Sequence, residues 1–267
     1  MLKSNKGGVM MKYIFFDIDG TLVDIKDGKQ YIPESTKEAV KKLQENGHIT
    51  AIASGRQMVT VLPVAKELNI DNIVSDGGYG LMYRGEIKHI YPLDKEIVLK
   101  LSEELLKKGI PFAYMTDPTV DVVYASSHML ANQDINHFEN LKVLLDEGFD
   151  YTKYDAYKIF IAVKKEDEKK IQTVDASRIM RYFKGHLAFE PDDKYKGVKE
   201  LVELDGGNIE DIIFFGDGLN DIAMAKQVPF TIAMGNAIDE LKDVAYFVTK
   251  NIDNDGIEYA CKYFHLI

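Results

Sequence analysis

The feature that most narrows the folds open to this chain is a series of short apolar runs, each stopped by glycine or a polar residue. Tyr13 to Phe16, Ile49 to Ala53, Ile73 to Val74, Ile212 to Phe215, Phe230 to Ala233 and Tyr246 to Val248 have this form. Runs this short and this apolar read as strands buried on both faces. Helical patterns lie between them. In Ser35 to Asn46, Ser35 and Glu38 have capping-box spacing and Gly47 supplies the stop. Strand, helix and strand in succession predict a parallel sheet in an α/β fold.

The middle of the chain has another rhythm. Ile87 to Tyr91, Phe112 to Met115, Val120 to Tyr124, Lys158 to Val163 and Leu187 to Phe189 read as strands of a second sheet, several with partial alternation. Asp94 to Lys108 sets Ile97, Val98, Leu101 and Leu105 on one helical face, and Ile135 to Glu147 and Glu166 to Phe183 give two more helical patterns. The order predicts a smaller α/β domain over residues 82–186, inserted in a core made of residues 11–81 and 187–267. Residues 1–10 read as a disordered extension or an expression remnant, since Met11 offers a second start. With 267 residues, 46% of them apolar, the chain has enough material for these two cores.

Composition removes several function classes. A formal charge of -10 disfavours non-specific attraction to nucleic acid or to anionic membranes. The single cysteine, Cys261, excludes an intrachain disulfide and a Cys-based zinc site, and fits a reducing, cytoplasmic setting. No apolar run approaches the roughly 18 to 20 residues that span a bilayer. The six histidines show no HExxH spacing, Gly77 to Gly80 lacks the spacing of a dinucleotide fingerprint, and there is no Walker A motif.

Chemistry concentrates at the strand ends. Asp17-Ile18-Asp19-Gly20-Thr21 follows the first strand directly, where a parallel sheet delivers its chain into a crevice. Two carboxylates about 4 Å apart repel by roughly 4 kcal/mol at an effective dielectric near 20, so a buried pair needs a cation, a shared proton or solvent. Gly216-Asp217-Gly218-Leu219-Asn220-Asp221 closes another apolar strand. If the two strands are neighbours, Asp217 and Asp221 join Asp17 and Asp19 in an all-oxygen nest suited to Mg²⁺. One of these acids can also cap the helix Ile222 to Ala225. Ser54-Gly55-Arg56, after a third strand, offers a hydroxyl, flexible amides and a guanidinium to a phosphoryl oxygen. Lys196-Gly197, before the helical pattern Val198 to Leu204, supplies a cation, and Lys194 is the alternative.

DIDGT at Asp17, SGR at Ser54, KG at Lys196 and GDGLND at Gly216 together resemble the four ordered motifs of the haloacid dehalogenase superfamily. Ala233-Met234-Gly235-Asn236-Ala237 with Asp255-Gly256 resembles its Cof-type sugar-phosphatase branch, which carries a large inserted cap. The resemblance runs from about Met11 to the end of the chain. It implies a Rossmann-like parallel-sheet core with a smaller α/β cap. It further implies Asp17 as nucleophile and Asp19 as general acid and base. Mg²⁺ would be held by the Asp17 carboxylate, the Asp19 backbone carbonyl and the Asp217 carboxylate, with Asp221 acting through water or orientation. Ser54, Gly55, Lys196 and Asn220 would hold the phosphoryl group, and Arg56 would contact substrate. The sequence departs from the family after its third strand, where Asp76-Gly77-Gly78-Tyr79 replaces the usual Asn-Gly-Ala.

The expectation is a cytoplasmic Mg²⁺-dependent phosphatase for small phosphorylated metabolites, sugar phosphates foremost, working through an aspartyl-phosphate. Its partner is a small phosphate ester, with neither nucleic acid nor membrane. A phosphomutase shares the same core motifs and differs in returning the phosphoryl group to a sugar hydroxyl. A non-catalytic phosphoryl-binding signalling module also gathers acids at sheet ends, but it needs neither Asp19 nor a cap. Cap aromatics such as Tyr124 are candidates to face substrate.

Overall fold

The computed structural model describes residues 11–131, 138, 141–174, 179–181, 184–191 and 193–267, so the extension expected at residues 1–10 lies outside the described residues. The chain opens with β1 (Tyr13–Phe16), β2 (Asp24–Lys26), β3 (Lys29–Tyr31), α1 (Glu34–Glu45), β4 (Ile49–Ala53), α2 (Met58–Glu67), β5 (Ile73–Ser75), β6 (Gly80–Tyr83) and β7 (Glu86–Ile90). It continues through α3 (Lys95–Lys108), β8 (Phe112–Met115), β9 (Val123–Ala125), β10 (Val143–Leu145), β11 (Lys158–Ile161), β12 (Ile179–Met180) and β13 (Leu187–Phe189). It closes with α4 (Lys194–Leu204), β14 (Ile212–Gly216), α5 (Ile222–Ala225), β15 (Phe230–Ala233), α6 (Asp239–Val244), β16 (Phe247–Val248) and α7 (Gly256–Tyr263). Two compact units result. One takes the chain up to Arg56, Val61–His89 and Asp193–Ile267, and the other takes Gln57–Thr60 and Ile90–Asp192.

The first unit is built on an eight-stranded sheet in the order β16-β15-β14-β1-β4-β5-β6-β7. From β16 to β5 each neighbouring pair is parallel, and β6 runs antiparallel to β5. β1 and β14 are buried along their whole length, as strands covered on both faces must be. Tyr13, Phe15, Ala51, Val74, Ile212 and Phe214 pack with Val198, Leu201 and Val202 of α4 in one cluster. Each fully buried large apolar side chain contributes about 1.5–3 kcal/mol. α4 approaches the sheet closely because Gly197 faces it, where a Cβ would stand 2.6 Å from Val74 Cγ1 and 3.1 Å from the Gly78 carbonyl oxygen.

The second unit carries a six-stranded sheet, β10-β9-β8-β11-β13-β12, antiparallel except for the β9–β10 pair. Period-two alternation sorts its side chains. Phe112, Tyr114, Ile159, Ile161, Leu187 and Phe189 join Val98, Leu101 and Leu105 of α3 on one face. Ala113, Met115, Phe160 and Ala188 make the other cluster with Val123, Ala125 and Leu130. Tyr124, a candidate for substrate contact, stacks on Phe149 at 5.7 Å between ring centroids.

Several local expectations need correction. The strand expected at Ile87 to Tyr91 in the second sheet is β7, an edge strand of the first. Its exposed Glu86, Ile87 and Lys88 suit an edge position. Of the helix expected over Ile135 to Glu147, residues 135–137 and 139–140 lie outside the described residues, and Val143–Leu145 forms β10 instead. The helix expected over Glu166 to Phe183 is a 3₁₀ turn at Lys165–Lys170 followed by β12. Residues 175–178 and 182–183 of that span lie outside the described residues. α1 starts one residue earlier than its expected cap, with Pro33 at the N-cap and no side-chain capping bond. Its amphipathic face, Thr36, Ala39, Val40 and Leu43, does not depend on a capping box.

Candidate active site

Strand order creates the site. β1 lies between β4 and β14, so the loops leaving all three emerge side by side. The β1–β14 ladder runs one step past the strand, with the Asp17 N–H donating to the Phe215 carbonyl at 2.9 Å. Asp17 therefore stands next to Gly216 and the acids that follow it. The chain then turns sharply at Gly20, whose φ is +78°, and a Cβ there would fall 2.1 Å from Asp217 Oδ2. Only glycine satisfies both the left-handed backbone and the close approach. Asn236 secures this turn, donating to the Gly20 carbonyl at 2.8 Å while its own oxygen accepts from the Ile252 N–H at 2.9 Å.

Asp17, Asp217 and Asp221 each offer a carboxylate oxygen, and the three lie within 4.8 Å of one another. Lys194 bridges two of them, its Nζ donating to Asp17 Oδ1 at 2.7 Å and to Asp221 Oδ1 at 2.6 Å. The second oxygen of Asp221 accepts from the N–H groups of Asp217 and Gly218 at 3.0 Å each, fixing the loop that carries Asp217. Thr21 Oγ1 donates to Asp217 Oδ1 at 3.1 Å.

One ammonium cannot neutralise three acids, two of them buried and Asp217 half-buried. Burial pushes the Asp17 carboxyl up to about 8, Lys194 opposes the shift, and Asp221 adds to it. Asp217 is pushed up to about 7, by burial and then by Asp221. Burial disfavours the charge on Lys194, but Asp17 and Asp221 outweigh it and hold the ammonium protonated. The surplus therefore rests on the carboxylates. An all-oxygen set with more negative charge than its own cation offsets suits a hard divalent ion.

The remaining expected residues divide. Ser54, buried at the end of β4, accepts from the Arg56 N–H at 3.1 Å through its hydroxyl. Gly55 lies between them on this loop. The Arg56 guanidinium forks onto Asp19, Nε to Oδ2 at 2.8 Å and Nη2 to Oδ1 at 2.5 Å. The Asp19 side chain is 64% exposed and stands outside the three-acid cluster. Asn220 is half-buried on the turn that ends in Asp221. Lys196 is the correction: it is exposed, its Nζ lies 5.5 Å from the centroid of the Tyr79 ring, and Lys194 occupies the position among the acids. The cause is the start of α4. Asp193 caps it by accepting from the Lys196 N–H, so the helix begins at Lys194 instead of Val198. Its buried residues then fall at 194, 197, 198, 201 and 202. That helical periodicity was readable in the sequence, whereas the roles of Thr21 and Asn236 had no signal beyond their place in quoted motifs. The departure at Asp76 is also explained: its N–H donates to the Arg56 carbonyl at 2.8 Å and its Oδ2 accepts from Ser75 Oγ at 2.7 Å, which braces the Ser54–Arg56 loop.

The chain is similar to known proteins over nearly its whole length. The sequence profile of the haloacid dehalogenase-like hydrolases matches residues 14–261. The protein YkrA of Bacillus subtilis (strain 168) is 34% identical over 253 residues, spanning 94% of this chain and 96% of its own. From the same organism, 5-amino-6-(5-phospho-D-ribitylamino)uracil phosphatase YwtE is 28% identical over 287 residues, covering 93% of this chain and 96% of its own. The structure of the subclass IIB sugar phosphatase BT4131 superimposes with a TM-score of 0.76 at 27% identity, covering 96% of this chain and 100% of that one.

Proposed function

The chain belongs to the haloacid dehalogenase-like hydrolases, as a phosphoric monoester hydrolase with an inserted cap, and from that premise we propose that it hydrolyses sugar phosphates and similar small esters through an aspartyl-phosphate. The observation that carries this reading is the cluster of Asp17, Asp217 and Asp221 around Lys194, at the ends of adjacent parallel strands. Asp17 is the nucleophile. Its carboxylate oxygen bonds to phosphorus while the ester P–O bond breaks, and the departing oxygen takes a proton from Asp19. A water molecule then attacks phosphorus and gives a proton to Asp19. The bond to Asp17 breaks, releasing inorganic phosphate and restoring both carboxyl groups. Lys194, Ser54 Oγ, the Gly55 amide and Asn220 hold the phosphoryl oxygens as charge builds on them.

The Asp17 and Asp217 carboxylates and the Asp19 carbonyl would hold Mg²⁺, with Asp221 ordering the surroundings. Bound there, such an ion would offset the crowded acids and would supply Lewis-acid stabilisation of the phosphoryl group. The inserted second unit would select the leaving group, as a cap does in the branch the sequence resembles. The compartment is the cytoplasm, in keeping with a single buried, unpaired cysteine.

The test is phosphate release from para-nitrophenyl phosphate and a panel of sugar phosphates, after chelation and with Mg²⁺ restored. Turnover should require the ion, and Asp17→Asn should lower it by at least about 10⁴-fold. Folded protein without metal-dependent turnover on any ester would overturn the reading.

A further inference from the structure

Arg56 and Asp19 form an ion pair beside the three-acid cluster, apart from the pairs that Lys194 makes with Asp17 and Asp221. The Arg56 backbone is pinned on both sides: its N–H donates to Ser54 Oγ, and its carbonyl accepts from the Asp76 N–H. Its side chain is only 18% exposed, so the guanidinium projects from a fixed base. Asp19 is the opposite. Its backbone sits in the Gly20 turn, where the Gly20 N–H donates to the Val23 carbonyl at 2.9 Å, but its carboxylate reaches into solvent. Each of its oxygens accepts from one arm of the Arg56 fork and keeps a second lone pair open.

An acid and base catalyst that is mostly solvent-exposed loses efficiency through rotation, because proton transfer needs a carboxyl oxygen held within hydrogen-bond reach of the reacting atom. A bidentate arginine fork fixes both the direction and the plane of a carboxylate. We infer that Arg56 is a positioning residue for Asp19: it aims the exposed carboxylate at the ester and water oxygens, in addition to any contact with substrate. The inference rests on the hydrolytic reading above. As a stability element the pair contributes little, because its carboxylate stays largely in water. Its consequence is therefore kinetic.

Two esters of nearly the same shape separate the roles. The nitrophenolate of para-nitrophenyl phosphate departs with little need of a proton, whereas the phenolate of phenyl phosphate is a stronger base and leans on the general acid. The parameter to read is kcat/KM, which covers binding and the breaking of the ester bond but not the later attack by water. In Arg56→Ala, kcat/KM for phenyl phosphate should fall about 10-fold further than for para-nitrophenyl phosphate, part of the 10²–10⁴ that a general acid supplies. Asp19→Asn should show the same bias, and the double variant should be no worse on phenyl phosphate than Asp19→Asn alone, as expected of residues acting as a unit. Arg56→Lys keeps the charge without the fork and should retain part of the bias. It also serves if Arg56→Ala fails to give a cooperative melt. Equal losses on both esters, adding to the loss in Asp19→Asn, would make Arg56 a substrate-holding residue only and overturn the inference. Wild-type protein inactive on both esters and on the sugar-phosphate panel would overturn the hydrolytic reading and this inference with it.

Discussion

At the scale of single residues, the distinction between Lys194 and Lys196 is the sharpest. Lys194 is 3% exposed and bridges two acids, whereas Lys196 is exposed beside Tyr79. Lys194→Met should abolish phosphate release and, in chelator, cost about 3–5 kcal/mol in urea unfolding, because it leaves buried carboxylates without their cation. Lys196→Ala should leave turnover within about 3-fold and stability within about 0.5 kcal/mol. The acids also predict a pH response. Asp17 and Asp217 hold their protons up to about 8 and about 7 in the folded protein, against an ordinary value of 3.8. Between those limits the folded chain binds more protons than the unfolded one. Their contribution to stability is therefore full below about pH 3.8 and is lost as pH rises through 7 to 8. A divalent cation takes the place of those protons, so the rise in melting temperature on adding Mg²⁺ should grow from pH 6 to pH 8. A Mg²⁺ increment independent of pH would contradict the electrostatic account. The acids themselves were legible in the sequence because each sits where an apolar run stops. The choice of lysine was not read, since it turns on one helical start.

Among the elements, α4 shows how packing places chemistry. Gly197 lets the helix lie against β5 and the Gly78 carbonyl, and the same face three residues earlier carries Lys194 into the acids. Gly197→Ala forces a methyl group to 2.6 Å from Val74 Cγ1. It should cost about 1–3 kcal/mol in urea unfolding, the usual range for overpacking, and should reduce turnover by displacing Lys194. A variant with wild-type stability and activity would remove α4 from this role. The six parallel strands of the first sheet were legible from sequence as short apolar runs, whereas β6 was not read. β7 was misplaced because an edge strand and a strand of another sheet carry the same pattern, and only pairing separates them. The two short strands β10 and β12 lie inside stretches with helical spacing, and nothing within a two- or three-residue strand outweighs that signal.

Across the whole molecule, the two units hold separate apolar clusters. The carboxylate cluster belongs to the first alone. Hydrogen exchange should therefore respond unequally to metal: Mg²⁺ should slow exchange in Tyr13–Phe16 and Ile212–Gly216 and leave Phe112–Met115 nearly unchanged. Equal protection across both sheets would mean that the units open together. The central strand pairing carries a further consequence. β1, which leads directly into Asp17, finds its partner β14 only after the second unit has intervened in the chain. During synthesis, the inserted unit leaves the ribosome complete while β1 still lacks one neighbour, and a chain arrested before Ile212 has Asp17 without its companion carboxylates. Such a truncated product should be inert toward phosphate esters. The incomplete polypeptide thus poses no hydrolytic threat to the cell's metabolite pool, and competence arrives only once Ile212 to Asp221 have been translated.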